Sequence, residues 1–573
     1  MTNIKAKINK FIVIYLTIIL ILFSSQIKAK AVSNESNPDI NQNTSNLSEQ
    51  VRVGLFFKDK NFANSSTESS YFSVSAAKGL EVGYNSNGNF NKIFEIADNY
   101  SLIVRKDAYY LIKDNSIKEY KPSSGNIAND NKLGPFHIQL GGSCDSYETA
   151  KAKIEIYKQK GVNAYAAFTD SWYIWTGFYI DQNSAESDIL NVINKNFGKG
   201  DHKVVQPSVD NIVINDGKSG QPIMIFGGKD AFLHIKPKVD NNQYIFNING
   251  KNYRGTLEVR RYASSDMTVI NILPIEHYLY SVVPSEIQWM SHPEALKAQA
   301  ITARTYVYSN LGKYSSLGFD VCSTVYSQVY GGYAVERETT NKAVDETQDK
   351  KLYYNSELAQ VFFFSSSGGK TEASKNVWTA DLPYLQSVED NYEDKNSKNY
   401  TWEKVLSVNK VRDIMVSKGN DVGEVDGIEI INTSEAGRVI ELVVSGTSGD
   451  KVFVKARCRE LFDLPSQWYT ISTDADAVIL SSSDQMRKNI QVVGKKVITR
   501  NGLEDNKLNR EISILGDNNV IRTISSIPTS YIFTGRGYGH AVGMSQQGAK
   551  GMADAGFLYD EILQHYFLGT SIE

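Results

Sequence analysis

A short alanine-rich segment limits how this chain can fold. Residues 293 to 307 read "PEALKAQAITARTYV", and apolar side chains recur there at helical spacing. A face of such small side chains allows another element to approach closely, which predicts a buried helix over residues 292–311. That face comprises Leu296, Ala300, Ala303 and Val307, and a second stripe comprises Lys297, Ile301, Arg304 and Tyr308.

Two glutamates lie near the start of this helix, and their surroundings differ. "SHPE" has the form of a capping box, in which Ser291 and Glu294 bond each other's backbone amides, so a structural role is predicted for Glu294. Glu286 precedes the cap, in a predicted loop entered through Pro284. Its apolar neighbours are expected to raise the pKa of its carboxyl, which suits a general acid. Those neighbours are Ile287, Trp289 and Met290.

Length and patterning predict an α+β protein of several domains. The chain has 573 residues, of which 41% are hydrophobic and 22% charged, enough for more than one core. Short strands predict a β-rich module over residues 51–120, and a large mixed α/β domain with a substrate cleft is predicted over residues 204–573. Polar segments at 32–50 and 121–134 are typical of linkers.

The N-terminus has the layout of an export signal. Lysines precede the apolar run "FIVIYLTIILILF", and "AKA" follows it at residues 29–31. The run is shorter than the roughly 20 apolar residues of a membrane-spanning helix. Residues 1–31 are therefore predicted to be a cleaved signal peptide, with a retained membrane anchor as the alternative. Either alternative places the body of the protein outside the cytoplasm.

Charge and cysteine content restrict the possible partners. The formal net charge is -3, so there is no global basic field and nucleic acid is not expected as a partner. Cys144, Cys322 and Cys458 are far apart in the sequence and match neither a metal-ligand spacing nor a disulfide framework. All three are expected to be small buried side chains.

Residues 135–200 have the pattern of a small βαββα unit. "FHIQLGG" begins it, an alanine-bearing helix ends at Gly161, and the strand "WYIWTGFY" is followed by Ala185. In these features the segment resembles the SPOR domain, a peptidoglycan-binding module. The resemblance implies a small domain that binds cell-wall glycan.

Four blocks in the large domain resemble one family. "LPIEHYLYSVVPSEI" with "PEALKAQAITARTYV" comes first and "FDVCSTVYSQVYGG" follows. "FFFSSSGGKTEASKNVW" and "GRGYGHAVGMSQQGAKGMADAGFLYDEILQHYF" complete the series. In this order the blocks resemble the stage II sporulation protein D and amidase enhancer LytB family over about 300 residues.

The resemblance implies a peptidoglycan lytic transglycosylase that cuts peptide-stripped glycan strands, in sporulation or cell-wall remodelling. Glu286 matches the catalytic glutamate of the family's "SE" motif. One carboxyl would protonate the glycosidic oxygen and then accept the muramic acid C6 hydroxyl proton, leaving a 1,6-anhydro end. The alternative is a non-catalytic wall-binding protein that stimulates an N-acetylmuramoyl-L-alanine amidase. A hydrolase using Glu286 and a second acid is a weaker alternative.

The family pattern also implies a zinc site in some sporulation members, and this chain departs from it. Cys322 is present, but Tyr326 and Ser327 occupy the positions of the expected histidine and second cysteine. Zinc needs about four ligands, so no metal and no cofactor are predicted. Phe364 also stands where the family is expected to have a histidine.

The substrate-binding candidates lie mostly in the matching blocks. Gln328 and Tyr330 suit sugar hydrogen bonding and stacking, or simple packing. His540 is a second acid/base, a sugar ligand or a structural histidine. The acidic segment 389–394 is predicted to be a solvated loop, with a second catalytic carboxylate as the alternative. The full set of candidates is Lys297, Arg304, Gln328, Tyr330, Ser365, Ser366, Ser367, Gly368, His540, Ser545 and Gln546.

Overall fold

The computed structural model describes most of the chain from residue 49 onwards. The predicted export segment at residues 1–31 lies outside the described residues. None of the described helices is both long enough and apolar enough to cross a membrane. The described ranges are 49–59, 68–86, 88–113, 116–122, 132–228, 231–262, 266–287, 292–480, 487–491, 496–499, 502–505, 511–515, 521–525 and 528–573.

Strands dominate the first half of the described chain. They are β1 Gln50–Phe56, β2 Tyr71–Ser75, β3 Leu80–Ser86, β4 Asn89–Ile96, β5 Ser101–Lys106, β6 Tyr110–Lys113, β7 Ser116–Glu119, β8 Lys132–Leu133, β9 Phe136–Leu140, β10 Ala164–Phe168, β11 Trp172–Tyr179, β12 His202–Val205, β13 Ile212–Asp216, β14 Pro222–Phe226, β15 Phe232–Pro237, β16 Ile245–Ile248, β17 Lys251–Arg254, β18 Thr256–Tyr262 and β19 Asp266–Pro274.

The strands of the second half are shorter and more dispersed. They are β20 Val321–Cys322, β21 Leu352–Tyr354, β22 Glu357–Leu358, β23 Phe363–Phe364, β24 Thr401–Ser407, β25 Val425–Thr433, β26 Val439–Gly446, β27 Lys451–Val454, β28 Tyr469–Thr473, β29 Asp476–Leu480, β30 Arg487–Gln491, β31 Lys496–Thr499, β32 Gly502–Asp505, β33 Glu511–Leu515, β34 Ile521–Ser525, β35 Ser530–Arg536, β36 Met544–Ser545 and β37 Ser571–Ile572.

Most of the longer helices follow β19. The described α-helices are α1 Tyr147–Gln159, α2 Gln182–Asp188, α3 Asn194–Phe197, α4 Ile275–Glu286, α5 Pro293–Ser309, α6 Glu338–Asp345, α7 Ser374–Val377, α8 Val408–Ser417, α9 Arg457–Glu460, α10 Gln546–Asp554 and α11 Tyr559–Tyr566.

Two large sheets combine strands from distant parts of the sequence. The first has the order β20-β1-β19-β18-β15-β3-β4, and the second has the order β12-β9-β11-β10-β14-β13-β5-β2-β16-β17. Strands from residues 51–120 therefore pair with strands from residues 204–274. The mixed α/β class agrees with the class predicted from the sequence. The domain boundaries at residues 120 and 204 stay a prediction, although strands from both sides of them pair in the same sheets.

The βαββα order predicted for residues 135–200 is present. β9, α1, β10, β11 and α2 follow one another, and Ser146 caps α1 by accepting from the Thr149 amide. These strands form no separate sheet, because β10 also pairs with β14. The likeness to a SPOR domain stays a prediction.

Helix α5 is the buried helix that the alanine-rich segment predicts. Its described boundaries agree with the sequence to within two residues, and every residue from 298 to 307 is buried. It packs against α4, α6, α10 and α11. Small side chains make this close approach possible on several sides of one helix.

The capping and helix boundaries near the two glutamates differ from the predictions. Ser291, the predicted cap, lies outside the described residues; His292 is the N-cap of α5, and its Nδ1 accepts from the Glu294 amide at 3.4 Å. Glu286 does not lie in a loop but ends α4, with Pro284 inside the last turn. Because proline has no N–H, the last turn of α4 lacks the backbone hydrogen bond that residue 284 would otherwise donate to the Tyr280 carbonyl.

A second core lies in residues 401–475 and 530–536. Strands β24, β35 and β28 form one sheet and β25, β26 and β27 another, with α8 and α9 packed against them. Four apolar side chains are completely buried in this core, namely those of Val411, Leu442, Phe462 and Phe533. The described part of the large predicted domain thus contains more than one hydrophobic core.

Arg304 and Glu276 tie α5 to α4. The Arg304 guanidinium binds both Glu276 carboxylate oxygens, at 2.7 and 2.6 Å, and donates to the Val344 and Lys350 carbonyls. We expect Arg304→Met to cost about 3–5 kcal/mol, because it leaves Glu276 and two carbonyls without their cation. Chemical denaturation would measure the loss.

Lys297→Met on the same helix is the matched control. The Lys297 ammonium bridges Glu294 and Glu346 at 3.0 and 2.9 Å, nearer the surface. Its loss should cost about 0–1 kcal/mol. Equal losses in the two variants would contradict a dominant role for the buried pair.

Candidate functional site

Glu286 is held at the end of α4 by one backbone amide. Its Oε1 accepts from the Val329 N–H at 2.8 Å, and its side chain is half-buried. Val329 belongs to the segment that follows β20, so a helix end and a loop from 43 residues later meet at this carboxyl.

Burial raises the pKa of the Glu286 carboxyl above its ordinary value, and the Val329 hydrogen bond offsets part of that rise. In the part of the chain that the structure describes, no second carboxylate contributes to the shift. The direction confirms the expectation from the sequence. The proton is thus retained to a higher pH than on an exposed glutamate.

Two tyrosines that are not candidates from the sequence, Tyr278 and Tyr306, lie near the carboxyl. Burial raises the pKa values of Tyr278 and Tyr306, and the nearby Glu286 charge adds to both effects. The Tyr278 hydroxyl donates to Gln328 Oε1 at 3.2 Å, and its ring stacks on Tyr330 at 5.2 Å. A helical pattern over residues 275–286 would have placed Tyr278 and Glu286 on the same side of α4.

Cys322 lies on β20, at the start of the same loop. It is completely buried, and its Sγ contacts the hydroxyls of Thr324 and Ser327 at 3.3 and 3.4 Å. Cys144 and Cys458 are buried too, as predicted. Among the described residues, no three His, Cys, Asp or Glu side chains are grouped so that they could hold a metal ion.

The serine-rich block lies in a second polar cluster. Ser367 Oγ and the Gly368 amide both donate to Glu393 Oε2, at 2.8 and 2.9 Å. Asp390 accepts from the Tyr566 hydroxyl at 2.8 Å. Burial raises the pKa values of both carboxyls, and the Asp390 charge raises that of Glu393 further. The prediction of a solvated loop at 389–394 is wrong for Asp390 and Glu393.

His540 lies in an aromatic environment. Its ring centroid is 5.0 Å from that of Trp378 and 5.4 Å from that of Phe364. Burial lowers the pKa of the imidazole to about 3, so the ring is neutral at neutral pH. Its Nδ1 accepts from the Val542 amide. Phe364, found where the resemblance implies a histidine, thus supplies one wall of this environment.

The structure distributes the candidate substrate-binding residues over several places. Gln328 and Tyr330 flank Val329, beside Glu286. The serine block meets β36 through the parallel pairing of Phe364 with Ser545. Lys297 and Arg304 lie on α5, in ion pairs with neighbouring helices.

Neighbouring groups enclose the polar atoms of the buried candidates. Ser545 Oγ, for example, caps α10 by accepting from the Gly548 amide. Lys297, Ser365 and His540 are only partly buried. Contact with a sugar stays a prediction for every candidate. The buried candidates are Arg304, Gln328, Tyr330, Ser366, Ser367, Gly368, Ser545 and Gln546.

Comparison with known proteins finds a family match for one segment and relatives for most of the chain. The family model described as "Stage II sporulation protein" (SpoIID) matches residues 263–354, which include α4, α5 and Glu286. The amidase enhancer of Bacillus subtilis is 28% identical over 476 residues, 81% of this chain and 63% of its own length. Residues 263–354 therefore match the SpoIID family, and most of the chain is similar to an amidase enhancer. A model for a domain of unknown function matches residues 373–495.

Other relatives cover less of the chain. Stage II sporulation protein D of Bacillus subtilis is 29% identical over 326 residues, 54% of this chain and 77% of its own length. An uncharacterised protein of Brachyspira hyodysenteriae is 29% identical over 328 residues, 57% of this chain and 74% of its own length. The chain spans less than two thirds of the length of the amidase enhancer.

The raised pKa of Glu286 predicts a pH-dependent stability. Between the unfolded value of about 4.3 and the higher folded value, the folded state binds more protons. Wild-type stability should therefore fall across that window as pH rises, and Glu286→Gln should escape the loss. Denaturation midpoints from pH 3 to 8 should show the variant gaining about 1.4 kcal/mol for each pH unit between the two pKa values.

Glu346→Gln is a control of opposite sign. The Lys297 ammonium lowers the pKa of the Glu346 carboxyl, so wild type should be the more stable protein above that pKa. A Glu286→Gln curve that parallels the wild-type curve at every pH would contradict the assignment.

Proposed function

We propose that the chain is a peptidoglycan lytic transglycosylase that acts outside the cytoplasm on peptide-stripped glycan strands. One observation carries the proposal: Glu286 has a carboxyl with a raised pKa that is half-buried among tyrosines and held by a single amide. It lies in the segment that the SpoIID model matches.

One carboxyl is enough for this reaction. Protonated Glu286 gives its proton to the glycosidic oxygen as the bond to the muramic acid C1 breaks. The resulting carboxylate takes the proton of the C6 hydroxyl, whose oxygen attacks C1 and forms the 1,6-anhydro ring. The proton returns to Glu286, so the carboxyl is ready for another cycle. A hydrolase would instead need a second carboxyl at a defined distance.

The Val329 amide has a specific part in this cycle. It stabilises the carboxylate that exists between the two proton transfers, whereas burial favours the neutral acid that begins the cycle. These opposing effects keep the two protonation states of Glu286 closer in free energy than burial alone would. A group that both donates and accepts a proton requires that balance.

The first test replaces the acid. Glu286→Gln keeps the shape of the side chain and removes its transferable proton, so release of anhydro-muramyl ends should fall by at least about 100-fold. Mass spectrometry of fragments from amidase-stripped strands would measure it. Glu357→Gln, an exposed carboxyl on β22, should release ends at the wild-type rate. Undiminished release by Glu286→Gln would refute the catalytic role.

A second candidate function is stimulation of an amidase without catalysis. The alignment with the amidase enhancer favours it, because it extends over 81% of this chain, compared with 54% for the sporulation protein. In this alternative the chain binds wall glycan and presents it to an N-acetylmuramoyl-L-alanine amidase.

Mixing experiments separate the two candidates. If the chain is only an enhancer, purified protein releases no anhydro ends, and both wild type and Glu286→Gln raise the amidase turnover equally. If it is a transglycosylase, wild type acts alone on stripped strands. Reducing ends in place of anhydro ends would instead indicate hydrolysis.

A further inference from the structure

A polar cavity at the edge of the ten-stranded sheet is not part of the site around Glu286. Its volume is about 450 Å³, within the range of small-molecule sites. We call it the Asn252 groove. The side chains that matter to the argument are Ser75, Lys78, Lys238, Asn247, Asn252 and Tyr333.

Three of these side chains form a row across adjacent strands. Asn247 on β16 pairs with Ser75 on β2 on one side and with Asn252 on β17 on the other. Directly paired residues point to the same face of a sheet, and neighbouring strands are about 4.8 Å apart. The row therefore spans about 10 Å of preformed, hydrogen-bonding surface.

The amides of this row are oriented by their own contacts. Asn247 donates to Asn252 Oδ1 at 2.7 Å and accepts from the Gly250 amide at 2.9 Å. The Asn252 side-chain nitrogen has no protein acceptor within the described ranges, and so its two N–H groups can serve a ligand. Fixed amide donors beside hydroxyl groups suit sugar hydroxyl and acetamido groups.

Two lysines add positive charge to the Asn252 groove. Lys78 is exposed and forms no ion pair with any described side chain, while the Lys238 ammonium lies 3.3 Å from Glu95. Asp240 also lines the cavity, and its negative charge confines the positive charge to the region near the two lysines. A ligand that fits has many hydroxyls and a single carboxylate near Lys78.

Aromatic packing on the opposite face of these strands connects the Asn252 groove to the residues near Glu286. Phe246, next to Asn247 on β16, stacks on Tyr253, and Tyr253 contacts Tyr330, each at 5.8 Å. Tyr330 then stacks on Tyr278. The segment that donates to Glu286 through Val329 continues directly to Tyr333, at the rim of the groove.

The crossing of this segment over β17 requires a glycine. Gly332 has a positive φ of +81°, and a Cβ there would lie 2.6 Å from the Asn252 carbonyl oxygen. The loop that holds Glu286 is therefore pressed onto the strand that carries Asn252.

We propose that the Asn252 groove is a second glycan-binding site, which takes an N-acetylated, carboxylate-bearing sugar of the strand that reaches Glu286. This rests on the proposed function, because removal of the stem peptides is what leaves a free lactyl carboxylate on each muramic acid. The amide row binds the sugar groups and Lys78 binds the carboxylate.

Binding measured without cleavage tests the Asn252 groove. Full-length Glu286→Gln would be titrated with peptide-stripped strands, with and without the added pair Lys78→Ala and Asn252→Ala. The pair should weaken binding about 10-fold or more, since each lost charge-assisted or amide contact is worth about 1 kcal/mol. Both side chains are exposed, and unchanged thermal unfolding would exclude misfolding.

Lys251→Ala, on the same β-hairpin but outside the cavity, is the matched control for lost surface charge and should change binding less than 2-fold. An unaltered affinity for the double variant would overturn the proposal. An equal loss in the Lys251 variant would overturn it too, because the effect would then be general attraction to a basic surface.

A second ligand tests the carboxylate. Chitin oligosaccharides carry acetamido groups and no lactyl carboxylate, so they should bind more weakly and be insensitive to Lys78→Ala. Binding as tight as that of stripped strands would refute recognition of the acid. If wild type releases no anhydro ends but the groove variants still lose binding, the catalytic proposal fails alone.

Discussion

The arrangement depends on how deeply α5 is buried. Nearly every side chain of this helix is enclosed, and the one large cation within that burial, Arg304, is neutralised by both oxygens of Glu276. That pair sets the position of α4 relative to α5. Because Glu286 is the last residue of α4, its position depends on the same contact. A buried ion pair thus contributes to the position of the proposed catalytic acid.

The Glu286 carboxyl differs from the other buried acids in its surroundings. Asp390 and Glu393 lie deep among serines and Tyr566, and the charge of one raises the pKa of the other. Glu286 is half-buried and has a single amide donor. Both environments favour the protonated carboxyl. Of these three acids, only Glu286 is also accessible to solvent. Accessibility therefore separates the proposed catalyst from acids that stabilise the fold.

Much of the fold was predictable because its signals are local. The periodicity of residues 293–307 predicted α5, and the alternating apolar residues predicted β1, β2 and β3. Errors occurred where a local signal competed with packing. Pro284 was taken as the entry to a loop, yet it lies inside the last turn of α4, where Val282 and Val283 are buried. Arg304 stays a predicted sugar ligand, although its guanidinium is buried beside Glu276.

Sequence alone determined the family blocks, the buried small-residue helix and the choice of Glu286 over Glu294. These follow from residue identity and spacing, which need no knowledge of distant contacts. Only the tertiary structure decided which polar residues remain accessible, because burial depends on segments far apart in the chain. Val329 reaches Glu286 across 43 residues, and Ser75 reaches Asn247 across a sheet. Such contacts depend on strand pairing and helix packing, and spacing along the sequence does not contain them.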